Sequence, residues 1–371
     1  MDRKKIFWAI FAVVLAVLSV WAVIGQSKDF SPSKMMEVLR TAHIGWMLAA
    51  ICSMFGFIFF EGLAIRILIK RLDRDRKRLR FTLYAAADVY FSAITPSASG
   101  GQPASAFFMM KDGITAATSA VILLVNLIMY TLAVMSIGIF CIFLRPDVLL
   151  GFGIPSKVFI GAGYVIMLFA TLIFILLLVR EKLLHRICEF LLRMVDRLRL
   201  IRHPEKIHRK LKKSMEEYDK VSGVIAHHRD MLFLAFVFNL LQRMSQIFVT
   251  AFVYMGMGGS AEKFIDVWCV QSFTAIGSNC APIPGAMGVA DYLLLDGLSG
   301  IVDPSFVTNL ELISRGISFY SCVLLSLLIV GIGYFTLVLE RRKVRKRQIQ
   351  EGGRKKAESA DGQKPAGGVQ E

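Results

Sequence analysis

Seven ionisable side chains lie where their neighbours are otherwise apolar: Glu61, Asp88, Arg243, Asp291, Asp296, Glu311 and Arg315. A charge at the centre of a membrane helix costs about 2.5–3.5 kcal/mol on an insertion scale, so such residues line polar cavities, pair with one another or serve function. Asp291 and Arg315 have opposite sign on neighbouring segments. Their pairing is one expectation, and contact of Arg315 with an anionic headgroup is the other. Two runs rich in Gly and Pro stand beside these charges, Thr95-Pro96-Ser97-Ala98-Ser99-Gly100-Gly101-Gln102-Pro103 and Pro282-Ile283-Pro284-Gly285-Ala286-Met287-Gly288. A helix broken at such a run bares backbone N–H groups at a new N-terminus, where the dipole favours anions. Ser97 and Asn279 add neutral hydrogen-bonding groups near the breaks. The candidate binding set is therefore Glu61, Thr95, Pro96, Ser99, Gly100, Gly101, Gln102, Pro103, Arg243, Pro282, Pro284, Gly285, Gly288, Asp291 and Arg315. These groups suit the binding of a polar headgroup. No catalytic residue, cofactor or metal ligand is expected among them.

The segments that carry these residues are apolar enough for a bilayer. Six stretches reach the roughly 20 residues a spanning helix needs: Ile6–Ile24, Gly45–Ile69, Ser119–Leu144, Lys157–Val179, Met231–Met255 and Phe306–Leu339. The first follows a basic start but lacks a small-residue cleavage site, so it reads as a retained helix. Two further stretches, 81–118 and 264–303, are interrupted by the Gly/Pro runs.

Orientation follows from the excess of Lys and Arg in cytoplasmic connections. Residues 1–5, 70–80, 180–230 and the tail from Arg341 carry three, seven, fourteen and ten. The opposite connections, 25–44, 145–157 and 256–263, carry three, two and one. Both termini are thus expected in the cytoplasm. Segment 81–118 must then enter and leave on the cytoplasmic side, and 264–303 on the external side. Each reads as a re-entrant helical hairpin, and the order helix, helix, hairpin, helix occurs twice in opposite orientation. The same charges also allow each hairpin to be two short spans, giving ten crossings.

The expected fold class is an all-α polytopic membrane protein with six spanning helices and two re-entrant hairpins in an inverted repeat, eight hydrophobic segments in all. Paired broken segments of this kind point at a binding site near the midplane. The domain reading is a first repeat over 1–150, a second over 151–339, and a basic disordered cytoplasmic tail over 340–371. Segment 180–230 reads as amphipathic helices lying against an anionic leaflet. It holds five of the six histidines, on faces that carry no carboxylate at metal-ligand spacing.

Composition agrees with the bilayer. The 371 residues are 55% hydrophobic and 19% charged, too little polar surface to coat a soluble globule of this size. The net charge of +16 resides in the cytoplasmic connections, so no nucleic-acid partner is expected. The six cysteines form no CxxC pair. No GxSxG, GxxxxGK[ST], HExxH or dinucleotide fingerprint occurs.

The two Gly/Pro runs, with an acid three residues after the second, resemble the flippase-like membrane region of the lysylphosphatidylglycerol synthases, the multiple peptide resistance factor family. The resemblance covers about residues 1–345, with Ala286 where Gly is common and Asp291 where Glu is common. It implies a flippase for a phospholipid such as lysylphosphatidylglycerol, or for a polyprenyl-linked lipid, in a bacterial inner membrane. Full-length members join this region to a soluble domain that transfers an aminoacyl group from tRNA to phosphatidylglycerol. The 32 residues after Leu339 are too few for such a domain, so the chain is expected to correspond to the flippase half. A separate soluble aminoacyltransferase and a second copy of the chain are the protein partners this allows, beside membrane lipid itself. The alternative is a phosphatidylglycerol lysyltransferase by family label, making cationic lipid for resistance to antimicrobial peptides.

Overall fold

The computed structural model describes residues 40–72, 80–95, 98–197, 204–226, 228–279 and 288–340. The expected first helix Ile6–Ile24 and the basic tail lie outside the described residues. No strand occurs among the residues described. The chain divides into two units, 1–327 and 328–371; what is described of the second is the end of the last helix.

Among the described residues, five helices are long and apolar enough to cross a membrane by length and composition: Ile44–Arg71, Ala116–Leu144, Ile154–Val179, Arg229–Gly256 and Phe306–Glu340. They coincide with the last five expected stretches. In chain order the helices are α1 (Ile44–Leu72), α2 (Phe81–Ile94), α3 (Gly101–Lys111), α4 (Ala116–Leu144), α5 (Pro146–Gly151) and α6 (Ile154–Val179). There follow α7 (Glu181–Arg197), α8 (Pro204–Ala226), α9 (Arg229–Gly256), α10 (Phe264–Ser278), α11 (Val289–Ser299) and α12 (Pro304–Arg315). The last passes through a π-helical stretch, Gly316–Ser321, on its way to Glu340.

The most extensive helix pairing is α1 with α9. Its register is antiparallel. Trp46 stacks on Phe252 and Phe60 on Phe238, Glu61 meets Gln242, and Arg71 meets Asp230 at 3.3 Å. The seam thus joins the sequence halves along their length. Several of its buried polar side chains take partners across helices, as hydrocarbon surroundings favour. Asn239 of α9 donates to Asn126 Oδ1 of α4 at 3.0 Å, and Thr250 to Gln271 Oε1 of α10 at 2.9 Å.

The two interrupted stretches form pairs of short helices. Helices α2 and α3 have 14 and 11 residues, and α10 and α11 have 15 and 11. In the first pair Arg80 Nη1 and Tyr84 Oη both donate to Asp112, at 2.9 and 2.6 Å, which ties the start of α2 to the end of α3. At the tip Gly100 N–H donates to Thr95 Oγ1 at 2.9 Å. The second pair is closed at its open end by Lys263 donating to the Ile301 carbonyl. Two external contacts hold it to the α4–α6 connection. Arg145 pairs with Asp266 at 2.8 Å, and Asp296 accepts the Gly153 N–H at 2.9 Å.

Helix α8 uses its apolar face differently from the leaflet contact the pattern suggested. Tyr218, Ser222 and Ile225 are buried, Tyr218 Oη donates to the Leu177 carbonyl, and Glu217 accepts from Thr115 and Thr118 at the start of α4. The face covers protein. Helix α7 keeps its stripe outward, with Ile187, Phe190 and Met194 exposed at helical spacing. His185, on α7, meets Asp219 of α8 at 3.0 Å, a carboxylate that faces on single helices could not foretell.

Candidate functional site

A cavity of about 670 Å³ opens among the helices, and all four short helices contribute to its wall. Helix α1 supplies Glu61, α2 Asp88 and Ser92, and α3 Gln102. Asn126 and Tyr130 come from α4, and Gln242, Arg243, Gln246 and Thr250 from α9. Gln271 and Thr274 of α10, Asp291 of α11, and Glu311, Ser314 and Arg315 of α12 complete the polar lining. Phe57, Leu127, Ile247 and Leu294 add apolar wall.

The charges fall into two groups. In the first, Asp88 accepts from Gln102 Nε2 at 2.9 Å and Ser92 Oγ at 3.1 Å, while Glu61 accepts from Gln242 Nε2 at 3.0 Å. Both acids are buried. Arg243 lies midway along α9 with its guanidinium 4.4 Å from the centre of the Tyr130 ring and bonded to Gln246 Oε1. In the second group Arg315 pairs with Asp291 and, at 3.3 Å, with Glu311 one turn earlier on its own helix. The π-helical stretch begins directly after Arg315. Such a bulge widens a turn and commonly marks a functional position.

The N-termini of α3 and α11 each face a carboxylate of their own pair. A Cβ on Gly101 would fall on Asp88 Oδ1 and Ser92 Oγ, so only glycine lets α3 start against that acid. Gly288 has φ +82° and gives its N–H to Asp291 Oδ2 at 2.9 Å, capping α11. Gly100, by contrast, has φ −83°, and the residue of this turn with positive φ is Ala98, at 53°.

Of the expected binding residues, the cavity brings together Glu61, Gln102, Arg243, Asp291 and Arg315. Thr95, Ser99, Gly100, Gly101, Pro103 and Gly288 build the hairpin tips and helix starts and are not in its lining. Pro96, Pro282, Pro284 and Gly285 lie outside the described residues. Asp88 and Glu311, recognisable as deep charges, belong beside the expected set. Asn126, Tyr130, Gln242, Gln246 and Gln271 are additions. A signal for part of them exists in the spacing of Asn239, Gln242, Arg243, Gln246 and Thr250, a polar stripe along one face of an otherwise apolar helix.

A deep cavity lined with polar groups, set in helices whose outer faces are apolar, can bind a polar group inside a membrane. Phe169, Leu172, Ile173 and Leu176 of α6, for instance, are all exposed. The family model of the lysylphosphatidylglycerol synthase TM region matches residues 8–326. The chain belongs to this family. As a member of the lysylphosphatidylglycerol synthase TM region family it is a multi-pass membrane protein, in keeping with the five long apolar helices among its described residues. A search of curated proteins finds no match.

Proposed function

We propose that this chain is a lipid translocase of the bacterial inner membrane, moving the headgroup of a phospholipid such as lysylphosphatidylglycerol, or of a polyprenyl-linked lipid, between leaflets. The observation that carries this reading is the polar cavity to which both short-helix pairs contribute. Its volume, about 670 Å³, lies within the range of ligand pockets. It suits a headgroup, with the acyl chains left in the bilayer. Moving a headgroup through hydrocarbon without compensating hydrogen bonds costs several kcal/mol per polar group; Gln, Asn, Ser and Thr side chains on several helices offset that cost.

In this reading both termini are cytoplasmic and the short pairs are re-entrant hairpins of an inverted repeat. The antiparallel pairing of α1 with α9, each followed by a short pair and a long helix, supports it. The lipid is the principal partner, and a soluble aminoacyltransferase would supply an aminoacylated one. The purified chain in liposomes should speed exchange of a fluorescent phospholipid between leaflets and make no lysylated product from lysyl-tRNA and phosphatidylglycerol. Product formation by the chain alone would replace the translocase with the lysyltransferase.

A further inference from the structure

The two arginines of the cavity differ in what neutralises them. Arg315 is held by Asp291 and Glu311, two carboxylates for one guanidinium. Arg243 is 6% exposed, and among the described residues no carboxylate lies within ion-pair distance of it. Its neutral contacts are the Gln246 amide oxygen and the face of Tyr130. Its buried Nε–H has no acceptor. Gln242, one residue earlier on α9, also leaves its buried Oε1 unpartnered while its amide nitrogen serves Glu61.

Glu61 acts on Arg243 only through space; a buried cation with no carboxylate in direct contact is incompletely compensated, and a guanidinium in particular offers five N–H donors in a planar fork that matches oxyanions. Stacking on Tyr130 adds cation–π attraction and fixes the plane of that fork. The side chain is therefore stacked, charged and incompletely hydrogen-bonded at the wall of the cavity.

We infer that Arg243 is the anchor for the phosphate of a lipid headgroup, and that Arg315 is a positioning residue joining α11 to α12. This rests on the translocase reading only for the lipid as source of the phosphate. The Arg243 Nε–H and a terminal N–H would donate to two phosphate oxygens, the bidentate form in which charge-assisted bonds are strongest. Gln242 Oε1 would accept from a hydroxyl or amine of the same headgroup. Glu61 and Asp88 stand on adjoining elements of the same wall and favour orientations that turn the phosphate toward α9 and away from them.

The test is native mass spectrometry of the full chain, in detergent, with short-chain phosphatidylglycerol, glycerol phosphate and inorganic phosphate as separate probes. Arg243→Gln should weaken binding of the lipid about tenfold or more, the equivalent of one charge-assisted hydrogen bond. Arg145→Gln, which breaks the pair with Asp266 away from the cavity lining, should bind the lipid within a few-fold of the parent. Should Arg243→Gln fail to fold, Arg243→Lys keeps the charge but loses the fork and should still weaken binding several-fold. Unchanged lipid binding by Arg243→Gln or by Arg243→Lys would overturn the assignment. Inorganic phosphate binding as tightly as the lipid would overturn the lipid source. Liposomes separate the two readings. A chain that binds lipid through Arg243 yet exchanges none would sink the translocase alone, and exchange undiminished in Arg243→Gln would sink the anchor alone.

Discussion

At the residue scale, the decisive features are close approaches and pairings rather than unusual backbone. The sequence shows two adjacent glycines, Gly100 and Gly101, and invites the expectation that both relieve φ. Only the packing explains Gly101, where a side chain would displace the Asp88 carboxylate. Gly101→Val should therefore cost about 1–3 kcal/mol through overpacking and abolish lipid exchange, whereas Gly100→Ala, at an ordinary φ and with its Cβ 2.7 Å from the Thr95 methyl, should cost less. Thermal unfolding and liposome exchange of the two variants check this. The expected pair of Asp291 with Arg315 is present, but Glu311 shares the same arginine. A double-mutant cycle between Asp291→Asn and Arg315→Gln should give a coupling of about 0.5–3 kcal/mol, smaller than for an isolated pair since Glu311 remains. Strict additivity would exclude the contact. The charges of the site could be found in the sequence because hydrocarbon makes any charge conspicuous. Tyr130 and Asn126 could not, since one aromatic and one amide within a long apolar helix do not reveal which face they take.

At the element scale, the long helices were legible from hydropathy to within a few residues, because twenty apolar residues in water have few alternatives. The amphipathic pair α7 and α8 was legible as such, but not what each apolar face covers. A periodic stripe states that a face is buried and leaves open whether lipid or protein buries it. Here α8 lies on α4 and α6, and α7 leaves Phe190 62% exposed. A polarity-sensitive fluorophore on Phe190→Cys, in a background without the native cysteines, should shift to the blue when anionic lipid is added. The same label on Lys212→Cys, on an exposed part of α8, should not. A label at 190 that stays indifferent to lipid would show that the α7 stripe meets something other than the leaflet.

At the scale of the whole molecule, the direction of the helices ties the two short pairs to opposite ends. Helix α1 runs antiparallel to α9, as the contacts from Trp46 with Phe252 to Arg71 with Asp230 establish. The first pair follows the end of α1 and is tied shut there by Arg80 and Asp112; the second follows the end of α9 and is tied by Lys263 and the Ile301 carbonyl. In the proposed topology, two pairs entered from antiparallel helix ends belong to opposite faces of the membrane. Their lengths fit that proposal, since helices of 11 to 15 residues rise only about 17 to 23 Å against a hydrocarbon core of about 30 Å. Single cysteines at Lys111 and Glu262, both exposed, should accordingly react with an impermeant thiol reagent from opposite sides, Glu262→Cys from outside intact cells and Lys111→Cys only after permeabilisation. Ser99→Cys, at the tip of the first pair, should resist the reagent from outside. Reaction of Lys111→Cys and Glu262→Cys from one side would refute the inverted arrangement. Ready external labelling of Ser99→Cys would instead make α2 and α3 full crossings, and the tips would then be exposed loops rather than the inner ends of re-entrant hairpins.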